Sequence, residues 1–289
     1  MQLKTALTEA VAHLTANGVP SPRMNAELLL MFSLGCDRAY LYAHPERALT
    51  ADETSRYQTA LSERVRGVPA QYITGHQEFW GMDLIVTPAV LIPRPETEHV
   101  VETVLELLKA ESAVGHGHPP RTRRIVDVGT GSGCIALALA KELPRAEIHA
   151  TDVSTGALEI ARINAARHQL DGCIHFHAAD LLDGFEGNFF DLVVSNPPYV
   201  GESEEDEVQL EVRKFEPRNA VFAGGTGLET IARLIPEAHA TLRRGGWLVM
   251  EISGTIADGA KQLLNGWEAV KIIDDLQGIP RVIAARKMS

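Results

Sequence analysis

A glycine-rich turn in the middle of this chain separates two apolar runs. The segment reads Ile125-Val-Asp-Val-Gly-Thr-Gly-Ser-Gly-Cys-Ile-Ala-Leu137. The residues before Gly129 are typical of a buried parallel strand, and those after Gly133 are typical of a buried helix. Glycine permits a tight turn and lets a ligand approach the N–H groups at a helix N-terminus. The segment therefore predicts an α/β fold with a ligand site at the carboxyl end of this strand.

Acidic residues at the ends of the next two predicted strands help to define the ligand. A carboxylate at Asp152 is placed to accept hydrogen bonds from both hydroxyls of a ribose. Cys134 replaces the third glycine of the dinucleotide fingerprint, so the pattern favours another adenosine-containing ligand. Asp180 is less specific, because it either caps a solvated turn or lies beside the adenine.

Three segments with different patterns organise the chain. Residues 1–75 have apolar residues at helical spacing, with a capping-box pattern at Thr50 and Glu53, and predict a small all-helical domain. Residues 76–95 predict a hairpin or extended connector. Residues 96–289 alternate between strands and helices, the pattern of a parallel, doubly wound sheet. The expected strands cover residues 124–128, 147–152, 174–178, 190–195, 247–252, 269–273 and 281–285.

An abrupt turn, Asn196-Pro-Pro-Tyr199, ends the apolar strand at residues 190–195. Proline has no N–H, so the main chain here offers carbonyl acceptors without competing donors. The Asn196 side-chain oxygen and the Pro197 carbonyl can each accept one N–H of an amide or aromatic amine and turn the nitrogen lone pair towards an electrophile. Tyr199 would supply a flat face for packing against the planar group. The motif predicts group transfer to a planar nitrogen.

These motifs, in this order, resemble the S-adenosyl-L-methionine-dependent methyltransferases that act on planar nitrogen. Further segments narrow the resemblance to the peptide chain release factor glutamine N5-methyltransferases, and it covers essentially the whole chain. These segments are Pro69-Ala-Gln-Tyr-Ile-Thr-Gly75, Glu78-Phe-Trp-Gly-Met82, Val90-Leu-Ile-Pro-Arg-Pro-Glu-Thr-Glu98 and Leu276-Gln-Gly-Ile-Pro-Arg-Val282. The sequence departs from the family at Glu251-Ile-Ser253, where many relatives have Glu-Ile-Gly, a change that affects peripheral geometry.

The resemblance implies a Rossmann-like class I S-adenosyl-L-methionine-dependent methyltransferase domain, with the helical N-terminal domain helping to hold the substrate. It implies methyl transfer to the glutamine N5 in the Gly-Gly-Gln motif of class-1 peptide chain release factors, with S-adenosyl-L-homocysteine as product and no metal. Substrate contacts map onto Asn196, Pro197, Pro198 and Tyr199, of which Asn196, Pro197 and Tyr199 are assigned to catalysis. Cofactor contacts map onto Asp127, Gly129, Thr130, Gly131, Ser132, Gly133, Asp152, Asp180, Leu181 and Asn196.

Net charge separates this expectation from its rivals. The chain carries a net charge of −11 and has no basic segment interleaved with aromatic residues, so direct nucleic-acid binding is not expected. A DNA adenine N6-methyltransferase stays as the alternative enzyme. A non-catalytic adaptor would not need paired acceptors at Asn196, and Cys134 argues against a dehydrogenase.

Other side chains bear on metals and location. The three cysteines form no Cys-x-x-Cys, and His116 and His118 have no ligand partner at suitable spacing, so no metal site is expected. Glu9 lies where a secretory signal would carry its apolar run, and no apolar stretch reaches the length of a membrane span. We expect a cytoplasmic, monomeric enzyme without a membrane partner.

Two charged features each keep two interpretations. Arg94 and Glu96 either order the entrance to the active site or take part in a structural ion pair. The acidic run from Glu202 to Glu207 is either a solvated loop or a surface that meets a basic, RNA-binding partner.

Overall fold

The computed structural model describes residues 1–113 and 122–288. The loop histidines His116 and His118 lie outside the described residues. The chain divides into two compact units. The first comprises Met1–His76 with Gln209–Phe215, and the second comprises Gln77–Val208 with Glu216–Ser289.

The first unit is built from short helices. Its helices are α1 (Leu3–Ala16), α2 (Pro22–Leu34), α3 (Arg38–Ala43), α4 (Ala51–Val65) and α5 (Ala70–Thr74). The capping box predicted for α4 is confirmed: the Thr50 hydroxyl accepts from the Glu53 N–H at 3.2 Å, and the Glu53 carboxylate accepts from the Thr50 N–H at 2.9 Å. The Tyr57 hydroxyl ties α4 to α2 by donating to the Ala26 carbonyl at 3.0 Å.

A segment far along the chain completes this unit. It contains the helix α9 (Leu210–Phe215), numbered in chain order. Arg64 of α4 is 4% exposed and pairs with Glu211 at 2.6 Å, because a buried guanidinium requires an anionic partner. The sequence-based division kept residues 96–289 in one domain, whereas the structure groups Gln209–Phe215 with the helices at the N-terminus.

The expected connector forms a hairpin that lies mainly in the second unit. Its strands are β1 (His76–Phe79) and β2 (Met82–Ile85). Trp80 and Gly81 have φ angles of +53° and +66°, the two positive values of a tight two-residue hairpin turn. The buried Asn164 side chain accepts from the Ile85 N–H at 2.7 Å and donates to the Ile85 carbonyl at 3.0 Å. This pairing fastens the hairpin to the second unit.

The second unit is a seven-stranded sheet with helices on both faces. Its strands are β3 (Arg124–Val128), β4 (Glu147–Asp152), β5 (Ile174–Ala178), β6 (Phe190–Ser195), β7 (Leu242–Glu251), β8 (Glu268–Asp274) and β9 (Pro280–Arg286). Its helices are α6 (Glu98–Ala113), α7 (Cys134–Glu142), α8 (Thr155–Arg167), α10 (Arg218–Val221), α11 (Glu229–Thr241) and α12 (Ala257–Leu263). Successive strand residues face opposite sides: Ile125 packs in one apolar cluster and Val126 in another.

The strand order is β5-β4-β3-β6-β7-β9-β8. The strands from β3 to β7 pair in parallel, but β9 runs antiparallel to both β7 and β8. The expected all-parallel sheet is therefore wrong at this edge, because the short turn between β8 and β9 can join only antiparallel strands.

Strand register brings the sequence motifs to one edge of the sheet. Val128 of β3 pairs with Thr151 of β4 and with Ser195 of β6. The next residues along these three strands are Gly129, Asp152 and Asn196. The strand order reverses direction between β3 and β6, and α/β sheets bind ligands at such a switch point.

Candidate functional site

The turn after β3 has positive φ angles at three glycines. Gly129, Gly131 and Gly133 have φ of +72°, +55° and +85°, a conformation that strains any residue with a Cβ. At Gly133 a Cβ would also approach the Leu137 and Ala161 side chains to 3.1 and 3.2 Å. At Gly129 and Gly131 a Cβ would meet nothing within 4 Å, since both border an open cleft.

Three N–H groups of this turn bond within the protein. Those of Gly129 and Thr130 donate to the Thr151 carbonyl at 2.9 Å, and that of Gly131 donates to Asp152 at 2.9 Å. A phosphate site requires such groups to face the ligand. The sequence-based expectation that the turn offers its N–H groups to a ligand is wrong for these three, and the turn does not suit a dinucleotide diphosphate.

Asp127 is a buried carboxylate beneath the turn. It is 1% exposed, and its Oδ2 accepts from the Thr130 hydroxyl at 2.6 Å and the Ala136 N–H at 3.2 Å. Its Oδ1 has no hydrogen-bond partner among the described residues. Burial raises the pKa of Asp127 to about 7, against the lowering effect of its hydrogen bonds. A buried anion with an unpaired oxygen favours a cationic ligand nearby.

Asp152 and Asp180 border the cleft in different environments. The oxygens of Asp152 accept from the N–H groups of Gly131 at 2.9 Å and Ser154 at 2.8 Å, and each can accept a further hydrogen bond. Burial raises the pKa of Asp152. Asp180 is exposed and pairs with Arg233 at 2.6 Å, an ion pair that was not predicted from the sequence.

The cleft has a volume of about 390 Å³ and lies wholly in the second unit. The predicted residues on its wall are Gly129, Gly131, Asp152, Asp180, Leu181, Asn196 and Pro198. The wall also includes residues 88–91 and the residues Pro217, Asn219 and Ala220, none of which was predicted as a site residue. Residues 90 and 91 lie in a segment that carries the family resemblance, and Pro88 and Pro217 stiffen their loops. Four predicted residues are buried and do not line the wall: Asp127, Thr130, Ser132 and Gly133.

Asn196 borders the cleft at the end of β6. Its Nδ2 donates to the Thr97 hydroxyl oxygen at 3.1 Å. Thr97 is 1% exposed and lies in a single 3₁₀ turn, Pro95–Thr97, before α6. With its N–H group held by Thr97, the Asn196 side chain keeps Oδ1 as an acceptor, and no donor among the described residues reaches that oxygen.

The rest of the Asn-Pro-Pro-Tyr motif divides between the cleft and the core. Pro198 borders the cleft, whereas Pro197 is buried and does not. Tyr199 packs against an apolar cluster, and its hydroxyl donates to Glu251 Oε1 at 3.0 Å. Burial and the neighbouring carboxylate raise the pKa of Tyr199. The structure therefore does not bring the Tyr199 ring onto the cleft wall.

Arg94 pairs with Glu216 and not with Glu96. Its guanidinium lies 2.5 Å from Glu216 Oε1, and Glu216 Oε2 accepts from the Ile92 N–H at 3.1 Å. Glu216 is 5% exposed. This ion pair joins the loops that carry two further parts of the cleft wall, in line with the structural interpretation of Arg94. Its role in ordering the entrance to the active site stays a prediction.

The acidic run and the expectations about metals and membranes concern the rest of the chain that the structure describes. The acidic run Glu202–Glu207 is a 3₁₀ helix in which Glu205 pairs with Arg218 at 2.6 Å. Within residues 1–113 and 122–288, no group of His, Cys, Asp and Glu is arranged to hold a metal ion. No helix in that part of the chain is long and apolar enough to cross a membrane.

Family models and curated relatives match along the chain. A model of the PrmC N-terminal domain matches residues 5–75, and a model of the methyltransferase small domain matches residues 105–215. A protein named release factor glutamine methyltransferase from Koribacter versatilis is 54% identical over 290 residues and covers 99% of each chain. One of the same name from Xylella fastidiosa is 41% identical and covers 96% of this chain and 97% of its own length.

Solved structures share the fold at low sequence identity. The hMettl16 catalytic domain, solved in complex with a MAT2A 3'UTR hairpin, has a TM-score of 0.55 at 19% identity, over 78% of this chain and 81% of that chain. A methyltransferase from Pyrococcus furiosus has a TM-score of 0.51 at 18% identity, over 81% of this chain and all of its own. These likenesses confirm the predicted methyltransferase fold and carry no information about substrate.

Proposed function

This chain belongs to the release factor glutamine methyltransferases, and from that premise we propose that it methylates the side-chain N5 of the glutamine in the Gly-Gly-Gln motif of class-1 peptide chain release factors. The methyl donor is S-adenosyl-L-methionine, and the product is S-adenosyl-L-homocysteine. The observation that carries the proposal is an amide acceptor, Asn196, on the wall of the same cleft as the glycine turn and Asp152. These groups meet within one chain, so we propose a monomer acting in the cytoplasm, where release factors are made.

The cleft fits the methyl donor by its charges. The donor supplies an electrophilic methyl group on a sulfonium, and it carries an ammonium, a ribose and an adenine but no phosphate. The unpaired Asp127 oxygen suits a positive charge, and Asp152 can accept from ribose hydroxyls. Asp180 and Leu181 border the side proposed for the adenine. The inward N–H groups of the turn agree with a ligand that lacks phosphate.

The acceptor side has to make an amide nitrogen nucleophilic. Asn196 Oδ1 and the Pro197 carbonyl are the two acceptors proposed for the two N–H bonds of the glutamine amide, and they would turn its lone pair towards the methyl carbon. As the new N–C bond forms and the S–C bond breaks, the nitrogen gains positive charge, and its extra proton leaves to water. The protein therefore contributes proximity and alignment, which lower a barrier by about 7–11 kcal/mol in favourable cases.

The test is transfer of labelled methyl from S-adenosyl-L-methionine to a purified class-1 release factor. The matched acceptor is the same factor with its Gly-Gly-Gln glutamine changed to alanine. We expect label on the first factor and none on the second. Equal labelling of both would move the acceptor to another residue, and no labelling of either would refute the proposed function.

A parallel reaction with duplex DNA tests the alternative enzyme. The net charge of −11 disfavours binding to a polyanion. We expect no labelled DNA at low salt, and labelled adenine would favour the alternative.

A further inference from the structure

Glu251 ends β7 next to the proposed acceptor site, and the mechanism above does not use it. The side chain is 2% exposed, and Oε1 accepts from the Tyr199 hydroxyl at 3.0 Å. Oε2 has no hydrogen-bond partner among the described residues. A buried carboxylate costs stability unless its oxygens are paired. Because Glu251 has an unpaired oxygen beside the acceptor site, we infer that it has a functional role.

Groups from four elements act on this carboxylate. Burial raises the pKa of Glu251, and the hydroxyls of Thr97 and Tyr199 lower it. The charge of Glu96 raises its pKa and that of Arg281 on β9 lowers it, while the Cys134 thiol of α7 lies within electrostatic range. Arg281 is itself paired with Asp275 at 2.8 Å. Glu251 therefore has one hydroxyl that completes a hydrogen bond, that of Tyr199, with the Thr97 hydroxyl near it and only a shared cation.

Thr97 connects Glu251 to Asn196. Its hydroxyl oxygen accepts from Asn196 Nδ2 at 3.1 Å. Ser195 of β6 pairs with Met250 of β7, so the next residues, Asn196 and Glu251, are neighbours at the sheet edge. The Thr97 hydroxyl lies close enough to Glu251 to lower its pKa. A hydroxyl has one proton and two lone pairs. A carboxylate that attracts the Thr97 proton leaves only lone pairs for Asn196, which then must present its N–H group to Thr97.

The direction of hydrogen-bond donation between Asn196 and Thr97 decides whether Asn196 presents an oxygen to a substrate. A carboxylate at Glu251 would draw the Thr97 proton towards itself, so Thr97 would accept from Asn196, as observed, and Asn196 Oδ1 would stay available. With a proton or an amide N–H at that position, Thr97 can accept from Glu251 and donate to Asn196 Oδ1. Asn196 Oδ1 would then accept from Thr97 and would not be available to the substrate amide.

We propose that Glu251 is a positioning residue whose ionised carboxylate, acting through Thr97, holds Asn196 with its side-chain oxygen towards the substrate amide. The inference rests on the proposed function for its kinetic consequence, but the orientation of Asn196 is a property of the free protein. It adds two residues, Thr97 and Glu251, to the acceptor site. Neither is assigned to catalysis, because neither touches the reacting atoms.

The kinetic test compares four variants in single-turnover methyl transfer to the release factor. Glu251→Gln keeps shape but supplies a donor, and we expect a fall in rate of about 10- to 100-fold with cofactor affinity within about twofold. Thr97→Val should cause a similar fall, and Thr97→Ser, which keeps the hydroxyl, should restore the rate. Glu147→Gln is the matched control, because Glu147 lies at the opposite end of β4 and pairs with Arg124.

The double variant, Glu251→Gln with Thr97→Val, shows whether Glu251 acts on Asn196 through Thr97 or whether the two residues act independently. Residues that act as a unit are non-additive, so the double variant should be no slower than either single one. Multiplied losses would overturn the proposal, as would an unchanged rate in Glu251→Gln when the wild-type protein labels its substrate.

A second measurement needs no substrate and distinguishes failure of this inference from failure of the proposed function. The side-chain amide signals of Asn196, assigned by their loss in Asn196→Ala, are followed by NMR from low to neutral pH. In the wild-type protein they should shift with a midpoint above 4.5, the ordinary glutamate value, and in folded Glu251→Gln they should not shift. Identical titrations in the two proteins would overturn the proposal even if methyl transfer is confirmed.

Discussion

The two sides of the cleft are assembled in different ways. On the cofactor side, the contacts that shape the turn are short in sequence: Asp127 bonds to Thr130 and Ala136, three and nine residues away, and Gly131 bonds to Asp152, 21 residues away. On the acceptor side, Asn196 bonds to Thr97 across 99 residues of chain, and Tyr199 bonds to Glu251 across 52. The cofactor side is therefore encoded within one strand–helix–strand unit, whereas the acceptor side exists only once distant segments of the chain have come together on the sheet.

This difference separates the properties that each side can lose. A substitution in the local turn changes the charge beneath the cofactor and leaves the acceptor geometry in place. A substitution in the long-range network changes the acceptor and leaves cofactor affinity in place. Mutants that break this separation would show that the two sides are one coupled site.

The largest expected effect is that of Asn196→Ala. It removes the acceptor oxygen, and we expect transfer to the release factor to fall by about 10²- to 10³-fold, the range found when one electrostatic contact to a transition state is deleted. Cofactor affinity, measured by calorimetry, should stay within about twofold. Asn265→Ala, an exposed site, is the control. Unchanged turnover in Asn196→Ala would refute the role of this side chain.

Asp127→Asn tests the local side through pH. The pKa of Asp127 is raised from 3.8 to about 7, so the folded protein carries the anion only above about pH 7. Affinity for the cationic cofactor should increase between pH 6 and pH 8 in the wild-type protein. In Asp127→Asn the affinity should be independent of pH and about tenfold weaker at pH 8. Equal wild-type affinity at both pH values would contradict this assignment.

The same substitution has a consequence for the free protein. Because the folded-state pKa is above the unfolded value, Asp127 favours folding most at low pH, and that contribution is lost as pH rises from about 3.8 to about 7. The loss amounts to at most about 1.4 kcal/mol per pH unit. Asp127→Asn should remove this part of the pH dependence, as measured by urea unfolding, whereas exposed Asp171→Asn should not.

The two sides of the cleft also differ in how far they can be predicted from the sequence. The strands at Arg124–Val128, Glu147–Asp152 and Phe190–Ser195 were predicted with their observed bounds, because a glycine, serine or proline follows within two residues of each strand's end. β7 was predicted to start at residue 247 but starts at Leu242. The prediction was wrong because Gly245 and Gly246 lie within the strand and glycine normally marks a break. Thr97 and Glu251 were not singled out for the site, since a pairing across such distances leaves no local pattern.

Tyr199→Phe has a smaller expected effect and sharpens the role of the network. The phenylalanine keeps the packing but removes a donor to Glu251, and loss of a hydrogen bond to the charged form raises a carboxyl pKa. The pH below which the rate of methyl transfer falls should therefore be higher in Tyr199→Phe. At neutral pH the rate should fall two- to tenfold, about the effect of losing one hydrogen bond. Tyr42→Phe is a matched control, because Tyr42 donates to Glu27 at 2.7 Å in the first unit. A shift of the low-pH fall in rate in the control, or no shift in Tyr199→Phe, would contradict the proposed effect of Tyr199 on Glu251.

Arg233→Ala is expected to change the molecule least, although its partner Asp180 borders the cofactor side. The side chains of Arg233 and Asp180 are 56% and 49% exposed, and an ion pair this exposed contributes about 0–1 kcal/mol because water screens it. We expect unfolding free energies within about 1 kcal/mol, a difference that shrinks further in high salt, and cofactor affinity within about twofold. A larger loss of affinity would mean that Arg233 contacts the cofactor directly. The cofactor side would then depend on a contact across 53 residues, and its contrast with the acceptor side would fail.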